Sequence, residues 1–500
     1  MAHIREHSNA AIEMHMIADT PLRNWTLIDP THEGLPTRIA RRVALEIMEM
    51  NWPAGAYLGP ERELADRYGV SAPTLDQALR ILEDDGVVAV KRGRGGGVVV
   101  TKPPIGSAAR TTALYLAATN ASAADIAEAG LALDAVVVQL ACARIDLGDL
   151  EIARGVLAAS DDGTEQGLAL FQALDEAVLS ATHNPVLAPF ASALHAADPN
   201  SGAQAMRQDE RREQLALRKA LLKALIANEA TTALELIGKR KRVGPPSPLR
   251  DTDRPLRRSE AMAEQITRYI AAAGGQPGAR LGREDELMRR FSSGRLALRE
   301  ALRMLERVGV VETRCGRNGG VFVGRPRPDA TISTVALYLS ALGVSQADQI
   351  GARAVLEQRS AALAAQRITP GQGAELEAAL RVEEAAYSGE HDAWVAAGSR
   401  VERLIIDACN NPILSFLTLV LVELSLYQAI ADPAEADGSL AATVFGNHRR
   451  IAGAILAGDP AFAAREALLH IETIKPRAGS SPRLTPMAPQ RSWKLTQVAV

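Results

Sequence analysis

The feature that most constrains this chain is that it is written twice. Leu58–Leu64 reads LGPEREL, and Leu281–Leu287 reads LGREDEL. Ala78–Val88 (ALRILEDDGVV) returns as Ala301–Val311 (ALRMLERVGVV). Gly93–Val100 (GRGGGVVV) returns as Gly316–Val323 (GRNGGVFV), and the ALYL of Ala113–Leu116 returns at Ala336–Leu339. These pairs share one offset, the 223 residues that separate Gly55 from Gly278. The match then loosens. Ala141–Ile145 faces Ala364–Ile368, and Asn184-Pro-Val-Leu187 faces Asn411-Pro-Ile-Leu414. A repeat found this way sets the architecture before any local reading does. The chain is two units, roughly 33–242 and 256–475. The charged, proline-rich stretch 239–258 between them reads as a semi-extended linker, its arginines and lysines solvated or forming a phosphate-contacting strap.

Aromatic residues are 4% of the 500, so cores must be built from Ala, Leu, Val and Ile, which favours helices. The net charge of −3 excludes a uniformly basic nucleic-acid binder, and any DNA-binding surface is local. Cys142, Cys315 and Cys409 are far apart and form no CxxC. They fit a reducing cytoplasm and argue against a disulfide framework or a thiolate zinc site. No run of about 18 uncharged apolar residues marks a membrane span. The N-terminus lacks the apolar core of a signal peptide. Residues 1–32 and 476–500 read as flexible ends.

The first seventy residues of each unit carry a definite pattern. Ile39, Val43, Ile47 and Met48 lie on one helical face, and Pro53-Ala-Gly55 ends that helix. A short helix follows over about Pro60–Tyr68, with Glu61 and Glu63 in its first turn. After the Gly69-Val-Ser71 turn, Ser71 caps a third helix to about Asp84. Two apolar runs, Gly86–Val90 and Gly97–Val100, flank an Arg/Gly turn and read as a hairpin. Three helices and a hairpin make a winged helix-turn-helix, whose third helix enters the major groove.

These residues resemble the GntR family: GPERELA (59–65), VSAPTLDQALRILEDDGVV (70–88) and GRGGGVVV in unit 1. Unit 2 has GREDELM, SGRLALREALRMLERVGVV (293–311) and GRNGGVFV. The expected architecture is mainly α: two winged helix-turn-helix modules, each followed by an all-helical bundle. The modules span 33–104 and 256–326, the bundles 105–242 and 327–475, with 243–255 as linker.

The arginines divide the two modules. In unit 2 the third helix carries Arg295, Arg299, Arg303 and Arg307 at intervals of four, along one stripe. Arginine near the N-terminus of a recognition helix suits bidentate contact to guanine. Unit 1 has Ala72, Asp76, Arg80 and Asp84 there, and Asp76 repels phosphate. Unit 1 keeps Arg62 in its second helix, where unit 2 has Asp285. Unit 2 is therefore the expected reader, through Arg295, Arg299, Arg303 and the wing residue Arg317. Arg62, Thr74, Arg80 and Arg94 are the unit 1 candidates. The wing arginines, Arg92 and Arg314 included, read equally as solvated turn residues.

The later part of each unit is rich in Ala and Leu with helical periodicity. It resembles the FCD effector domain of FadR-like GntR regulators, an all-helical bundle around a ligand cavity. In unit 2 the resemblance rests on Arg353–Glu357, Ala364–Arg367, Asn411-Pro412, His448 and His470. It implies ligand contacts at Arg353, Glu402, His448 and His470. Many FCD domains hold a divalent metal through one Asp and three His. Those positions fall on Gly398, Glu402, His448 and His470, so two of the four have changed. Glu402, His448 and His470 remain as candidate ligands for Zn, Ni or Mn. In unit 1 the same positions are Phe171, Asp175, Arg218 and Arg240, which excludes a metal. The two arginines there read as a solvated helix face or, turned inward, as an anion site.

The resemblance implies a cytoplasmic, non-enzymatic transcription regulator of a double-stranded DNA operator. An organic acid or acyl compound in the helical domains would tune its affinity. The tandem chain is expected to act as an intramolecular pseudo-dimer, and association of two such chains stays open. No GxSxG, P-loop or HExxH supports an enzyme. The alternative left open is a co-regulatory protein with degenerate DNA-binding modules, a reading favoured by Ala72, Asp76 and Asp285.

Overall fold

The computed structural model describes residues 34–241 and 258–474, apart from 51, 92, 94–95, 104–105, 120, 160–164, 199–206, 317–318, 388–390 and 432–437. The expected flexible ends and the 243–255 linker lie outside the described residues. Unit 1 begins α1 (Leu35–Glu49), β1 (Tyr57–Gly59), α2 (Glu61–Tyr68), α3 (Ala72–Asp84), β2 (Val88–Lys91), β3 (Gly97–Val100). Its bundle is α4 (Ser107–Ala118), α5 (Ala123–Arg144), α6 (Leu147–Ala158), α7 (Glu165–Ser180), α8 (Leu187–Ala197), α9 (Gln208–Ile226) and α10 (Ala230–Ile237). Unit 2 repeats the order as α11 (Arg258–Ala272), β4 (Arg280–Gly282), α12 (Glu284–Arg290), α13 (Arg295–Arg307), β5 (Val311–Arg314) and β6 (Gly320–Val323). Its bundle is α14 (Pro328–Ala341), α15 (Gln346–Arg367), α16 (Pro370–Ala386), α17 (His391–Asp407), α18 (Pro412–Ala431), α19 (Gly438–Leu456) and α20 (Pro460–Ile474).

Local chemistry sets these elements. Gly69 adopts a left-handed φ of 64°, which closes the tight turn between α2 and α3. Ser71 then caps α3 by accepting from the Thr74 amide at 3.4 Å. The recognition helices bury one face each: Leu75, Ala78, Leu79 and Leu82 in α3; Leu298, Ala301, Leu302 and Leu305 in α13. Each buried leucine is worth roughly 1.5–3 kcal/mol over exposure. The wing carries a strand that the sequence reading did not include. β1 joins β3, which pairs with β2, and β4 joins β6, which pairs with β5, all antiparallel. The glycines mark the place. A side chain at Gly97 would meet the Gly59 carbonyl at 2.6 Å, and one at Gly320 the Gly282 carbonyl at 2.8 Å. Only glycine lets the added strand approach so closely.

The units cross over one another. α1 of the first module packs on α14 and α18 of the second bundle, while α11 of the second module packs on α4 of the first. Leu337 of α14 belongs to the core of the first module. The bundles meet through α4 against α14 and α5 against α15. Both central helices start on the same capping box, Ser122/Asp125 and Ser345/Asp348.

The contacts are reciprocal, as across a twofold axis. Asn184 Nδ2 donates to the Asp348 carbonyl at 2.9 Å, and Asn411 Nδ2 to the Asp125 carbonyl at 3.1 Å. Arg144 pairs with Asp348 at 2.7 Å, and Arg367 with Glu128 at 2.8 Å. The two Asn-Pro turns thus serve as clasps. Each Asn side chain also accepts from the backbone that follows it, from Val186 in one unit and from Ile413 and Leu414, at the start of α18, in the other. Asn411→Ala is expected to cost about 2–3 kcal/mol, the sum of a lost cap and lost crossing bonds. Urea unfolding checks this; a loss under about 0.5 kcal/mol would show the clasp to be unimportant.

α5 departs from the expectation that no segment is long and apolar enough to span a membrane. By length and composition it passes that test, but 61% of its apolar window is buried inside the protein. It packs there against α8, α10, α15 and α18, as a core helix does.

Candidate DNA-reading face and effector cavity

The four-arginine stripe of α13 is divided by its surroundings. Arg295 is the first helical residue, and Arg295 and Arg299 are exposed. Arg299 Nε reaches Glu284 of α12 at 3.0 Å, a surface pair that water weakens. Arg303 is exposed and lines a cleft of about 440 Å³ between the modules, together with Asp85, Arg110, Glu260, Arg307 and Tyr338. Arg307 is consumed there. It meets Asp85, at the end of α3 in the other module, at 2.6 Å and the Tyr338 hydroxyl at 3.1 Å. Burial pushes the Asp85 carboxyl up, against the pull of Arg307. So one end of the stripe faces outward and the other ties the two recognition helices together.

On α3, Arg80 pairs with Asp76 at 2.8 Å, which cancels the one cation of that face. The Thr74 hydroxyl lies 2.8 Å from Ser71 Oγ, within the helix cap. Arg62 is exposed on α2. Arg94 and Arg317, with Arg92, lie outside the described residues.

In the second bundle, α15, α17, α19 and α20 bring Arg353, Glu402, His448 and His470 into one buried cluster. Arg353 is 2% exposed. Its Nε donates to Glu357 at 2.6 Å, its Nη1 to Ser425 at 2.7 Å, and its Nη2 to Glu402. His470 Nε2 stands 3.7 Å from Glu402, and ligand atoms of Glu357, Glu402 and His470 lie within 4.8 Å of one another. The His448 ring is 4.9 Å from that of His470, but its Nδ1 bonds Glu383 of α16 at 2.8 Å. Burial would raise Glu402, yet Arg353 and His470 outweigh it and hold it low. Burial pushes Glu357 up despite Arg353. Burial also pulls His470 down, whereas in His448 the bond and charge of Glu383 overcome burial and raise it.

Sequence reasoning missed Glu383. A signal existed: it falls on the buried stripe of α16 with Gly373, Leu376 and Ala379, where an apolar residue is the rule. Three buried polar atoms here have no partner: Glu383 Oε2, His448 Nε2 and His470 Nδ1. Orphans of this kind cost free energy and point to something that completes them. Glu357, Glu402 and His470 lie close enough together to share a divalent cation such as Zn, Ni or Mn, with the His448 ring beside them.

The first bundle solves the same position differently. Arg218 and Arg240 point inward, so they are not a solvated face. They do not offer an anion site either, because carboxylates already hold them. Arg218 Nε meets Asp175 at 3.1 Å; Arg240 meets Asp175 at 2.8 Å and Asp134 at 3.1 Å. Arg218 also lies over the Phe171 ring, 4.9 Å from its centroid. By sequence Arg240 falls at the solvated start of the linker; the two carboxylates draw it into the bundle instead. Two cations and two anions pair here, while Arg240 Nε stays buried without a partner.

Each half of the chain is thus a winged helix-turn-helix module carried on a helical bundle. The model of "Bacterial regulatory proteins, gntR family" matches residues 35–98 and 258–323, and that of the "FCD domain" matches 349–473. The chain belongs to the gntR family of bacterial regulatory proteins and carries an FCD domain. An HTH-type transcriptional regulator of Mycobacterium gastri is 30% identical over 136 residues, which span 26% of this chain and 48% of that protein. The HTH-type transcriptional repressor NanR of Edwardsiella tarda is 28% identical over 232 residues, 44% of this chain and 86% of NanR. Among solved structures, Streptococcus agalactiae GntR covers 43% of this chain and 98% of its own length, at 23% identity and a TM-score of 0.33.

Proposed function

We propose that the chain is a cytoplasmic, ligand-responsive DNA-binding regulator working as an intramolecular pseudo-dimer on an asymmetric operator. The observation that carries this is the reciprocal clasp, Asn184 to Asp348 and Asn411 to Asp125. One chain thereby does what two subunits of a dimer do, and tethering removes the dependence of pairing on concentration. Unit 2 reads bases through Arg295 and Arg299. Unit 1, with Arg80 tied to Asp76, contributes phosphate contacts through Arg62 and a fixed geometry.

The effector is a small organic acid or acyl compound in the unit 2 cavity, next to Arg353. A divalent cation held by Glu402, His448 and His470 would supply a Lewis-acidic anchor for its carboxylate. In unit 1 Asp134 and Asp175 already hold the two arginines, which favours one effector per chain. Its binding shifts the packing of the bundles and hence the spacing of the two recognition helices, a coupling between distinct sites.

The test is selection from randomised duplex DNA. Arg295→Ala/Arg299→Ala is expected to lose sequence preference and about 30-fold or more in affinity, at roughly 1–3 kcal/mol per bidentate contact. Arg62→Ala is expected to weaken binding evenly across sequences and to flatten its salt dependence. A wild-type chain that selects no sequence would defeat this reading in favour of a co-regulatory protein without direct DNA binding.

A further inference from the structure

We propose that Glu383 is a positioning residue for a divalent-cation site in the second bundle, holding His448 so that its Nε2 is left for the metal. This rests on the reading that Glu402, His448 and His470 bind a cation. Glu383 adds a residue that neither the repeat nor the ligand positions point to, since the 223-residue offset places Ser160 in unit 1.

The geometry is that of a carboxylate setting an imidazole tautomer. Glu383 is fully buried, and its Oε1 lies 2.8 Å from His448 Nδ1. A carboxylate oxygen accepts, so the hydrogen of that bond sits on Nδ1. The other ring nitrogen, Nε2, is buried without a partner. Metal-binding histidines are held in this manner, with the nitrogen away from the metal bonded to a carboxylate.

Gly398 explains how Glu383 reaches the place. A side chain there would begin 3.0 Å from Glu383 Oε1 and 3.6 Å from His448 Cε1. The missing side chain on α17 is the space that the α16 carboxylate occupies. A position with no ligand atom is therefore part of the site, as the gap that admits a carboxylate from the neighbouring helix.

Charge points the same way. Glu357, Glu383 and Glu402 share this cluster with one guanidinium, Arg353. In the first bundle Asp134 and Asp175 are matched by Arg218 and Arg240. The first cluster balances by itself. The second sets three carboxylates against one guanidinium, and even with Glu357 pushed toward its neutral form by burial one carboxylate stays unmatched by any guanidinium. Buried charge without compensation is expensive, so the shortfall selects for a cation.

The test uses the full chain, stripped with a chelator and titrated with Co²⁺, whose visible absorption reports its ligands. Zn²⁺ competition gives affinities. Wild type is expected to take up one Co²⁺ per chain, and His448→Ala to lose most of that affinity. Glu383→Ala is expected to bind 10–100-fold more weakly with an altered spectrum. Glu383→Gln, which keeps shape and an acceptor oxygen, is expected to recover part of the loss and guards against misfolding. Imidazole ¹⁵N shifts of the metal-free chain should show His448 protonated on Nδ1 in wild type and Glu383→Gln but not in Glu383→Ala, a readout that a packing role would leave unmoved. If wild type binds Co²⁺ and both Glu383 variants bind it equally well, the positioning role is overturned while the metal site stands. If wild type binds no Co²⁺, the metal reading itself fails, and the proposal with it.

Discussion

Asp175→Ala is expected to destabilise the protein by about 3–5 kcal/mol, because it leaves two buried guanidiniums without the carboxylate they share. Arg218 is 1% exposed, and Asp175 is its carboxylate partner. Arg240 would keep only Asp134. The remaining bonds of Arg218, to Gln214 and to the Lys241 carbonyl, satisfy donors but do not neutralise charge. Replacing Asp134, Asp175, Arg218 and Arg240 together with apolar residues of similar volume is expected to restore most of the loss, since a buried network breaks even at best against a packed core. Urea unfolding of the two variants beside wild type makes the comparison. A single mutant that loses less than about 1 kcal/mol would mean that water reaches the cluster and screens it.

The second large effect is expected at the junction of the units. Phe416 of α18 is 2% exposed and stacks on Tyr115 of α4, with ring centroids 4.3 Å apart. Phe416→Ala is expected to cost about 3–5 kcal/mol, from lost burial and the cavity left between the units. Both units share this contact, so the whole chain should still unfold in one transition, at lower urea. Two separate transitions in wild type would show that the units do not stabilise each other, and would remove the basis of the pseudo-dimer.

Much of the fold could be read from the residues. The repeat fixed the number of units. Apolar spacing, Ser71, Gly69 and the glycine-rich turns placed the three helices and the wing of each module. The third strand was hidden because three residues carry no period, though Gly97 and Gly320 marked where it lies. Half of the site was legible as well. Arg353, Glu402, His448 and His470 do come together, and α13 does present Arg295 and Arg299. Glu383 was not legible as a partner of His448, because helix packing, not spacing, joins α16 to α19.

Sequence by itself determined what each segment becomes, since caps, glycines and apolar stripes act within a few residues. It also determined that the copies differ: arginine against aspartate in the recognition helices, arginine against histidine in the bundles. Tertiary structure decided what those differences do. Each module lies on the other unit's bundle, which no local pattern encodes. That crossing gives Arg307, the last arginine of the stripe, its partner Asp85 from the other module. It is also packing that buries Arg218 and Arg240 against carboxylates, while leaving His448 and His470 with nitrogens unpaired. A charge has meaning only with its neighbours, and its neighbours here come from helices more than a hundred residues away or from the other copy.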